Sequence, residues 1–398
     1  MALTVVSPRI RGFICTTAHP VGCARNVEQQ REVACSHQSD MPERYRVLVI
    51  GASTGYGLAA RIAATWLYGA ESLGIFYERP GEGIKTGTPG YYNTAAFQRL
   101  TKRDGYKSLN INGDAFSVAV KEEVIARLKA EMRQVNVVIY SLAAPRRTDP
   151  RTGVVYNSAL KPIGAPYTSK TINLNNDTVI EMTLPPATDE EVTGTTAVMG
   201  GDDLRLWVEA LLEAQALAEG ACVVAFSYIG PEVTWPIYRS GTIGKAKKDL
   251  ERTTSQINQL LQTRISGHAW VSVNKGVITQ ASAAIPSVPL YLSVLYRVMQ
   301  EKGVHEEPIH QMVRLFLDHI GPRQTPTLDS EGRIRLDNHE LTPDIQAEVR
   351  RRWELVNTDN LRELSDYESV KLDFRQLFGF AVEGVRYDEP VEVEAFLD

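Results

Sequence analysis

A buried strand that breaks into three glycines and restarts as a helix constrains this chain most. In YRVLVIGASTGYGLAA, from Tyr45 to Ala60, the run Val47, Leu48, Val49 and Ile50 is continuous, apolar and rich in β-branched residues. That suits a strand covered on both faces of a parallel sheet. Gly51, Gly55 and Gly57 interrupt it before Leu58, Ala59, Ala60, Ile62 and Ala63 resume at helical spacing. Glycine here permits positive φ in a tight turn and lets a pyrophosphate approach backbone amides at a helix N-terminus. The loop residues Gly51, Ala52, Ser53, Thr54, Gly55 and Tyr56 are therefore expected to bind a dinucleotide. An ordinary βα turn that needs glycine for packing alone is the competing account.

The spacing G-x-x-x-G-x-G is the variant of the short-chain dehydrogenase/reductases, in place of G-x-G-x-x-G. The rest of the composition narrows the class. A net charge of -5, with no long block of like charge, argues against a nucleic-acid partner. No apolar run approaches the roughly 20 residues that span a bilayer, and the N-terminus lacks the order of a signal peptide. A cytoplasmic protein without a membrane partner is expected. Cys15, Cys23, Cys35 and Cys222 form no C-x-x-C pair. Cys15, His19 and Cys23 lack a fourth ligand nearby, and His305, His310, His319 and His339 are dispersed, so no metal site is expected.

Taken in order, about forty residues precede the first strand, which marks 1–44 as an N-terminal extension. Leu73 to Tyr77 reads as a second strand ending at Glu78. An acidic residue there accepts the adenosine ribose hydroxyls and repels a 2′-phosphate, by about 4 kcal/mol at 4 Å before screening. NADH is thus expected over NADPH, with Arg79 acting against that preference. Ser108 to Ile111 is a weaker strand that runs into Asp114 and Ala115; an Asp there hydrogen-bonds adenine in short-chain reductases. Val135 to Tyr140 is a strong strand closing in Leu142 and Ala143, small enough in sum for the backbone to pass close to a cofactor. Helix-like stretches such as Ala115 to Met132 alternate with the strands. The expected fold is α/β, a doubly wound parallel sheet of Rossmann type with helices on both faces. It forms a single domain over 1–398. Residues 148–190 break the rhythm as an inserted hairpin or flap that turns at Asn175 and Asn176. Gly201 to Leu217 returns to helix, and Ala221 to Ser227 is another buried strand.

The chemistry is expected in YIGPEVTWPIYRSGTIGKAKKDL, residues Tyr228 to Leu250. Eight residues separate Tyr238 from Lys247. Ketone-reducing short-chain enzymes separate tyrosine and lysine by three, which places both on one helical face. Here Ser240, Gly241 and Gly244 intervene, so Tyr238 belongs on a loop and Lys247 near a helix start. The longer arm suits a conjugated double bond whose distant oxygen gains charge when hydride reaches the β-carbon of an enoyl thioester. A neutral tyrosine can donate to that oxygen. Tyr238 is the expected proton donor, Tyr228 a second donor and substrate contact, and Lys247 a cation that holds the cofactor ribose. Further on, Val277, Ile278 and Thr279 fit a strand end that grips the nicotinamide. The small-residue run Gln280 to Ala284, with Pro286 and Pro289, leads into an apolar helix, and 286–345 reads as substrate-side helices. From Glu301 onward the chain reads as charged and helical.

PRIRGFICTTAHPVGC, GASTGYG, INGDAFS, SLAAPRR, the arrangement of Tyr228, Tyr238 and Lys247, and ITQASAAIPSVPLYLS together carry a family pattern. From about Pro8 to Phe380 the chain resembles the long single-chain trans-2-enoyl reductases of bacterial fatty-acid synthesis, the FabV type. The resemblance implies NADH-dependent reduction of a trans-2-enoyl thioester, on acyl carrier protein or coenzyme A, by a mostly monomeric enzyme. It points to Gly51 to Tyr56, Tyr77 with Glu78, Asp114 with Ala115, Leu142 with Ala143, Lys247, and Val277 to Thr279 for the dinucleotide. It points to Tyr228 for the substrate and Tyr238 for the proton. Arg146, Arg147, Lys245 and Lys248 offer a basic patch for an acidic carrier or coenzyme A phosphates. A carbonyl reductase or alcohol dehydrogenase on the same fold is the alternative, and a catalytically silent dinucleotide sensor a third.

Overall fold

The computed structural model describes residues 3–39, 44–174, 176–279, 282, 285 and 287–397. Its centre is a sheet of seven strands, β1 (Arg46–Ile50), β2 (Glu71–Phe76), β3 (Ser108–Asn112), β4 (Val135–Tyr140), β5 (Leu217–Ser227), β6 (His268–Val273) and β7 (Ile334–Arg335). They lie in the spatial order 3-2-1-4-5-6-7, and every pairing is parallel. In such a sheet the order reverses between β1 and β4, and ligands bind outside the strands' carboxyl ends at that point.

The helices of eight or more residues are α1 (Pro20–Cys35), α2 (Gly55–Tyr68), α3 (Pro89–Arg103), α4 (Val118–Arg127), α5 (Asp189–Met199), α6 (Asp202–Glu213), α7 (Thr242–Ile265), α8 (Val288–Glu301), α9 (Pro308–Leu315), α10 (Pro343–Leu355) and α11 (Tyr367–Gln376). Strand alternation sorts them. Val47 and Val49 of β1 point into a core made with α1, α2 and α9, whereas Leu48 and Ile50 point into a core with α4, α6 and α7. All four are fully buried, so truncating Leu48 to alanine costs about 2–5 kcal/mol. A third core joins α8, α10, α11 and the hairpin residue Ile172. No helix among the described residues is long and apolar enough to cross a membrane.

Gly74, in the middle of β2, shows why a strand residue must lack a side chain here. A Cβ there would lie 2.4 Å from the Arg61 guanidinium. Arg61 crosses from α2 over β2 and donates to Ser72 Oγ, Asn110 Oδ1 and the Leu109 carbonyl, at 3.2, 2.7 and 2.7 Å. Burial without a carboxylate partner lowers its pKa to about 9.

The inserted segment holds two small antiparallel hairpins, Arg146–Thr148 with Val155–Asn157 and Tyr167–Asn173 with Thr178–Leu184. Asn175, one of the two expected turn residues, lies outside the described residues. The longer hairpin is pinned to the C-terminal region. Lys170 Nζ donates to the carbonyls of Trp353, Glu354 and Val356 at 2.9–3.0 Å, where the C-terminus of α10 carries negative dipole charge. Asp177 receives Tyr367, Arg362 and Lys371.

Three expectations need correcting. β2 ends at Phe76, which leaves Tyr77 beyond the sheet and 80 % exposed. Val277 to Thr279 do not end a strand: β6 stops at Val273, the Asn274 N–H still reaches the Ser227 carbonyl, and the Lys275 and Gly276 N–H groups then go to the Gln311 and Glu340 side chains in place of a strand neighbour. The stretch from Glu301 is not helical throughout. After Gly321, Pro322 and Pro326 prevent helical pairing, and Asp329 gathers Arg333 and Arg335 into an ionic turn before β7. Gln280, Ala281, Ala283, Ala284 and Pro286 lie outside the described residues.

Candidate active site

The glycine loop sits at the carboxyl end of β1, at the switch point. Gly51 has φ +90°, and a Cβ on it would lie 2.3 Å from the Ser141 carbonyl. A Cβ on Gly57 would strike the Gly51 carbonyl, so only glycine fits this crossing. Gly51 and Ala52 both donate N–H to the Ile75 carbonyl at 2.9 Å, tying the loop to β2. Thr54 precedes α2 without a side-chain cap, which leaves the helix's first N–H groups facing the loop. That is the donor set an anion such as a pyrophosphate requires.

The other expected dinucleotide residues surround this loop. Glu78 accepts the Ser53 hydroxyl at 2.7 Å, and its backbone pairs with the Asn112 side chain. Asp114 turns its Oδ1 onto the Phe116 N–H at 3.0 Å. Ala115 is buried, its carbonyl held by Lys121 and Trp207. Leu142 approaches Gly51, and Ala143 is exposed. Thr279 faces Gly55, since a Cβ on that glycine would be 3.8 Å from the threonine methyl. Tyr56 donates its hydroxyl to the Lys275 carbonyl at 2.7 Å, which joins α2 to the strip Val277–Thr279. The donors of the glycine loop and the Glu78 carboxylate beside it have the chemistry that a dinucleotide such as NADH would need.

On the other side of the strip, Tyr238 ends a helical turn, Trp235–Tyr238, and Lys247 lies in the second turn of α7. The two stand on separate elements, as the interval implied, although Tyr238 is helical and not in a loop. Tyr228 meets Tyr238 edge to face, ring centroids 4.8 Å apart at 89°. Lys247 Nζ donates to the Phe226 carbonyl at 3.1 Å, two residues before Tyr228. Burial, and after it the charge of Glu340, raises the Tyr238 pKa, so this phenol stays protonated at neutral pH. Burial lowers Lys247 to about 8, against the opposing pull of Glu251. Among the described residues the Tyr238 hydroxyl has no hydrogen-bond partner. The Tyr228 hydroxyl does, which corrects its expected part as a second donor to the substrate: its one proton goes to Glu340 Oε1 at 2.9 Å.

The basic patch is smaller than expected. Arg147 is buried and spends its guanidinium on the Ala197 carbonyl and Asp202, leaving Arg146, Lys245 and Lys248 exposed.

Four polar residues at this site escaped the sequence reading. Glu340 and Tyr291 stand behind Tyr228, with the Tyr291 hydroxyl 2.7 Å from Glu340 Oε1. Gln311 bridges Tyr56 and the Lys275 N–H at 2.7 and 2.9 Å. Lys275 is buried over the Tyr296 ring, its Nζ on the Gly276 carbonyl, and burial lowers it to about 8. Only Lys275 carried a local signal, in NKG directly before Val277.

Comparison with known proteins identifies the family. Residues 85–320 match the family described as the trans-2-enoyl-CoA reductase catalytic region, and residues 5–83 match the NAD(P)H binding domain of trans-2-enoyl-CoA reductase. The chain is 50% identical over 388 residues to the enoyl-[acyl-carrier-protein] reductase [NADH] of Opitutus terrae, covering 98% of each. It is 49% identical to the trans-2-enoyl-CoA reductase [NADH] of Clostridium perfringens, over 98% of this chain and 99% of the relative. The crystal structure of trans-2-enoyl-CoA reductase from Clostridium acetobutulicum in complex with NADH superposes with a TM-score of 0.94, at 39% identity and 98% of both chains. Residues 328–391 match a model described as an enoyl reductase FAD binding domain. A flavin does not fit there: Ile345, Val349, Val356, Leu361, Val370, Phe374 and Phe378 fill that segment's inner face as core, packed on α8. The chain belongs to the trans-2-enoyl reductase family.

Proposed function

We propose that this chain reduces the trans-2 double bond of enoyl thioesters with NADH, and that Tyr238 gives the proton. NADH supplies the hydride, delivered to the β-carbon. The glycine loop, the amides at the start of α2, Glu78, Asp114, Ala115, Leu142, Ala143 and the strip Val277–Thr279 hold it, with Lys247 at its ribose. The observation that carries the reading is Tyr238: a buried residue whose hydroxyl is protonated and has no partner among the described residues, so that it is available to an oxygen that gains negative charge. Tyr228, edge to face with Tyr238, is the substrate contact beside it. Ketone reduction is the poorer match, because Tyr238 and Lys247 stand on different elements and not at i and i+4 of one helix.

The acyl group reaches the site on coenzyme A or acyl carrier protein; exposed Arg146, Lys245 and Lys248 suit the phosphates of either. We place the enzyme in the cytoplasm as a monomer, a state that sedimentation reads directly. The test is NADH oxidation with crotonyl-CoA. Wild type is expected to turn over, and Tyr238→Phe to lose at least about 100-fold in kcat with NADH binding intact. An inert wild type, or a fully active Tyr238→Phe, refutes the proposal.

A further inference from the structure

Glu340 has no exposed surface, and no step above uses it. It follows β7 in a stretch without helix, yet it is the most heavily bonded carboxylate at the site. Its Oε1 accepts the hydroxyl protons of Tyr228 and Tyr291, and its Oε2 accepts the Gly276 N–H at 2.6 Å. Gln346 backs this arrangement from α10, donating to the Glu340 carbonyl at 2.7 Å and to the Tyr291 hydroxyl at 3.3 Å. A buried carboxylate is costly unless its lone pairs are filled, and a leucine would fill the space more cheaply. The three donors therefore point to a use beyond packing.

Two of those donors lead to the reacting groups. Tyr228 has one hydroxyl proton, which goes to Glu340, and its ring edge sets the neighbouring Tyr238. Gly276 opens the strip Val277–Thr279, and it lies so close that a Cβ on it would be 2.9 Å from the Tyr228 hydroxyl. Resting on the thioester-reductase reading, we infer that Glu340 is a positioning residue of the reduction: one carboxylate fixes the proton donor and the nicotinamide strip in a single register. It touches neither substrate nor cofactor. It acts through Tyr228 on one side and Gly276 on the other.

Glu340→Gln keeps the volume but reverses one polarity. With its carbonyl on the Gly276 N–H, the new amide NH₂ faces two hydroxyls and turns the Tyr228 proton away. Expected is a loss of about fivefold or more in kcat with crotonyl-CoA, while NADH binding by fluorescence stays within about threefold. Tyr228→Phe should lose a similar factor, and the double variant should be no worse than the poorer single one. A smaller loss in Glu340→Gln, or losses that multiply in the double variant, overturns the inference. Should Glu340→Gln fail to fold, Tyr228→Phe and Tyr291→Phe give the same cycle: less than multiplicative losses support the inference, multiplicative ones overturn it. An inert wild type would sink the reductase reading instead. The link is then read from unfolding midpoints, where non-additive shifts for Tyr228→Phe and Glu340→Gln support it and additive shifts overturn it.

Discussion

Glu78 Oε1 lies 2.7 Å from the Ser53 hydroxyl, so a residue two positions past the end of β2 is tied to the glycine loop at the carboxyl end of β1. This bond aims a carboxylate at the place where the adenosine ribose follows the pyrophosphate in dinucleotide folds. Its other neighbours hold it there: Asn112 pairs with the Glu78 backbone on both N–H and carbonyl. The carboxylate is thus held in a fixed position at the loop, and under the proposed function a fixed like charge discriminates against a 2′-phosphate more sharply than a mobile one.

Replacing Glu78 with glutamine removes that charge and keeps an acceptor for Ser53. The ratio of kcat/KM for NADPH over NADH should rise by about 10- to 100-fold, or about 1.4–2.8 kcal/mol, well inside the unscreened like-charge term. Steady-state kinetics with both cofactors decide it. An unchanged ratio would remove Glu78 from cofactor selection.

Gly90 is the second control on the same carboxylate. A Cβ built there lies 2.0 Å from Glu78 Oε1 and 2.8 Å from Ser53 Cβ, so alanine must push the carboxylate off its perch. Gly90→Ala should raise the KM for NADH by about 5- to 20-fold with kcat nearly unchanged, the pattern of binding lost equally in ground and transition states. An unaltered KM would show that Glu78 does not need this position.

The parts legible in the sequence are those fixed by neighbouring residues. Val47 to Ile50 announces a doubly covered strand, the three glycines announce the turn, and the interval from Tyr238 to Lys247 announces that the two residues stand on separate elements. Chain contacts made across hundreds of residues leave no such trace. Glu340 reaches Tyr228 from 112 positions away, and nothing local separates it from the other 47 acidic side chains of a chain that has 48. The same holds for Gln311, which meets Tyr56 from 255 positions away. Val277 to Thr279 fits a strand end by its place in the fold family, yet the strand stops at Val273, and the Lys275 and Gly276 N–H groups go to the distant side chains of Gln311 and Glu340.

Lys247 gives a pH dependence with a definite sign. Burial brings its pKa down to about 8, so the ammonium is present at pH 7 and lost as the pH rises past 8. If that charge holds the ribose, kcat/KM for NADH should fall about tenfold per pH unit above about pH 8.5. Tyr238 does not add to this limb, because burial and Glu340 keep its pKa far higher. Lys247→Arg stays cationic throughout and should flatten the limb. A wild-type profile level to pH 9.5, or a limb unchanged in Lys247→Arg, would separate Lys247 from cofactor binding.

Asp104 makes the corresponding prediction for stability at acid pH. Its Oδ2 accepts from Arg31 Nε at 2.7 Å and Trp66 Nε1 at 2.9 Å, and its Oδ1 accepts from Arg103 Nε at 2.9 Å. Burial pulls its pKa up, but the donors of Arg103, Trp66 and Arg31 outweigh burial and set it at about 2. A carboxylate with a depressed folded pKa stabilises above its unfolded value near 4 and loses that contribution as the pH falls through 2. The side chain is 16% exposed, so little of the effect is screened, and the contribution at neutral pH is about 2 kcal/mol. Asp104→Asn should therefore lower Tm by about 2 °C at pH 7 and by much less at pH 2, since the wild type has lost the same interaction there. A deficit that is equal at both pH values would mean that the asparagine disturbs packing between α1, α2 and α3, and that the charge of Asp104 contributes nothing.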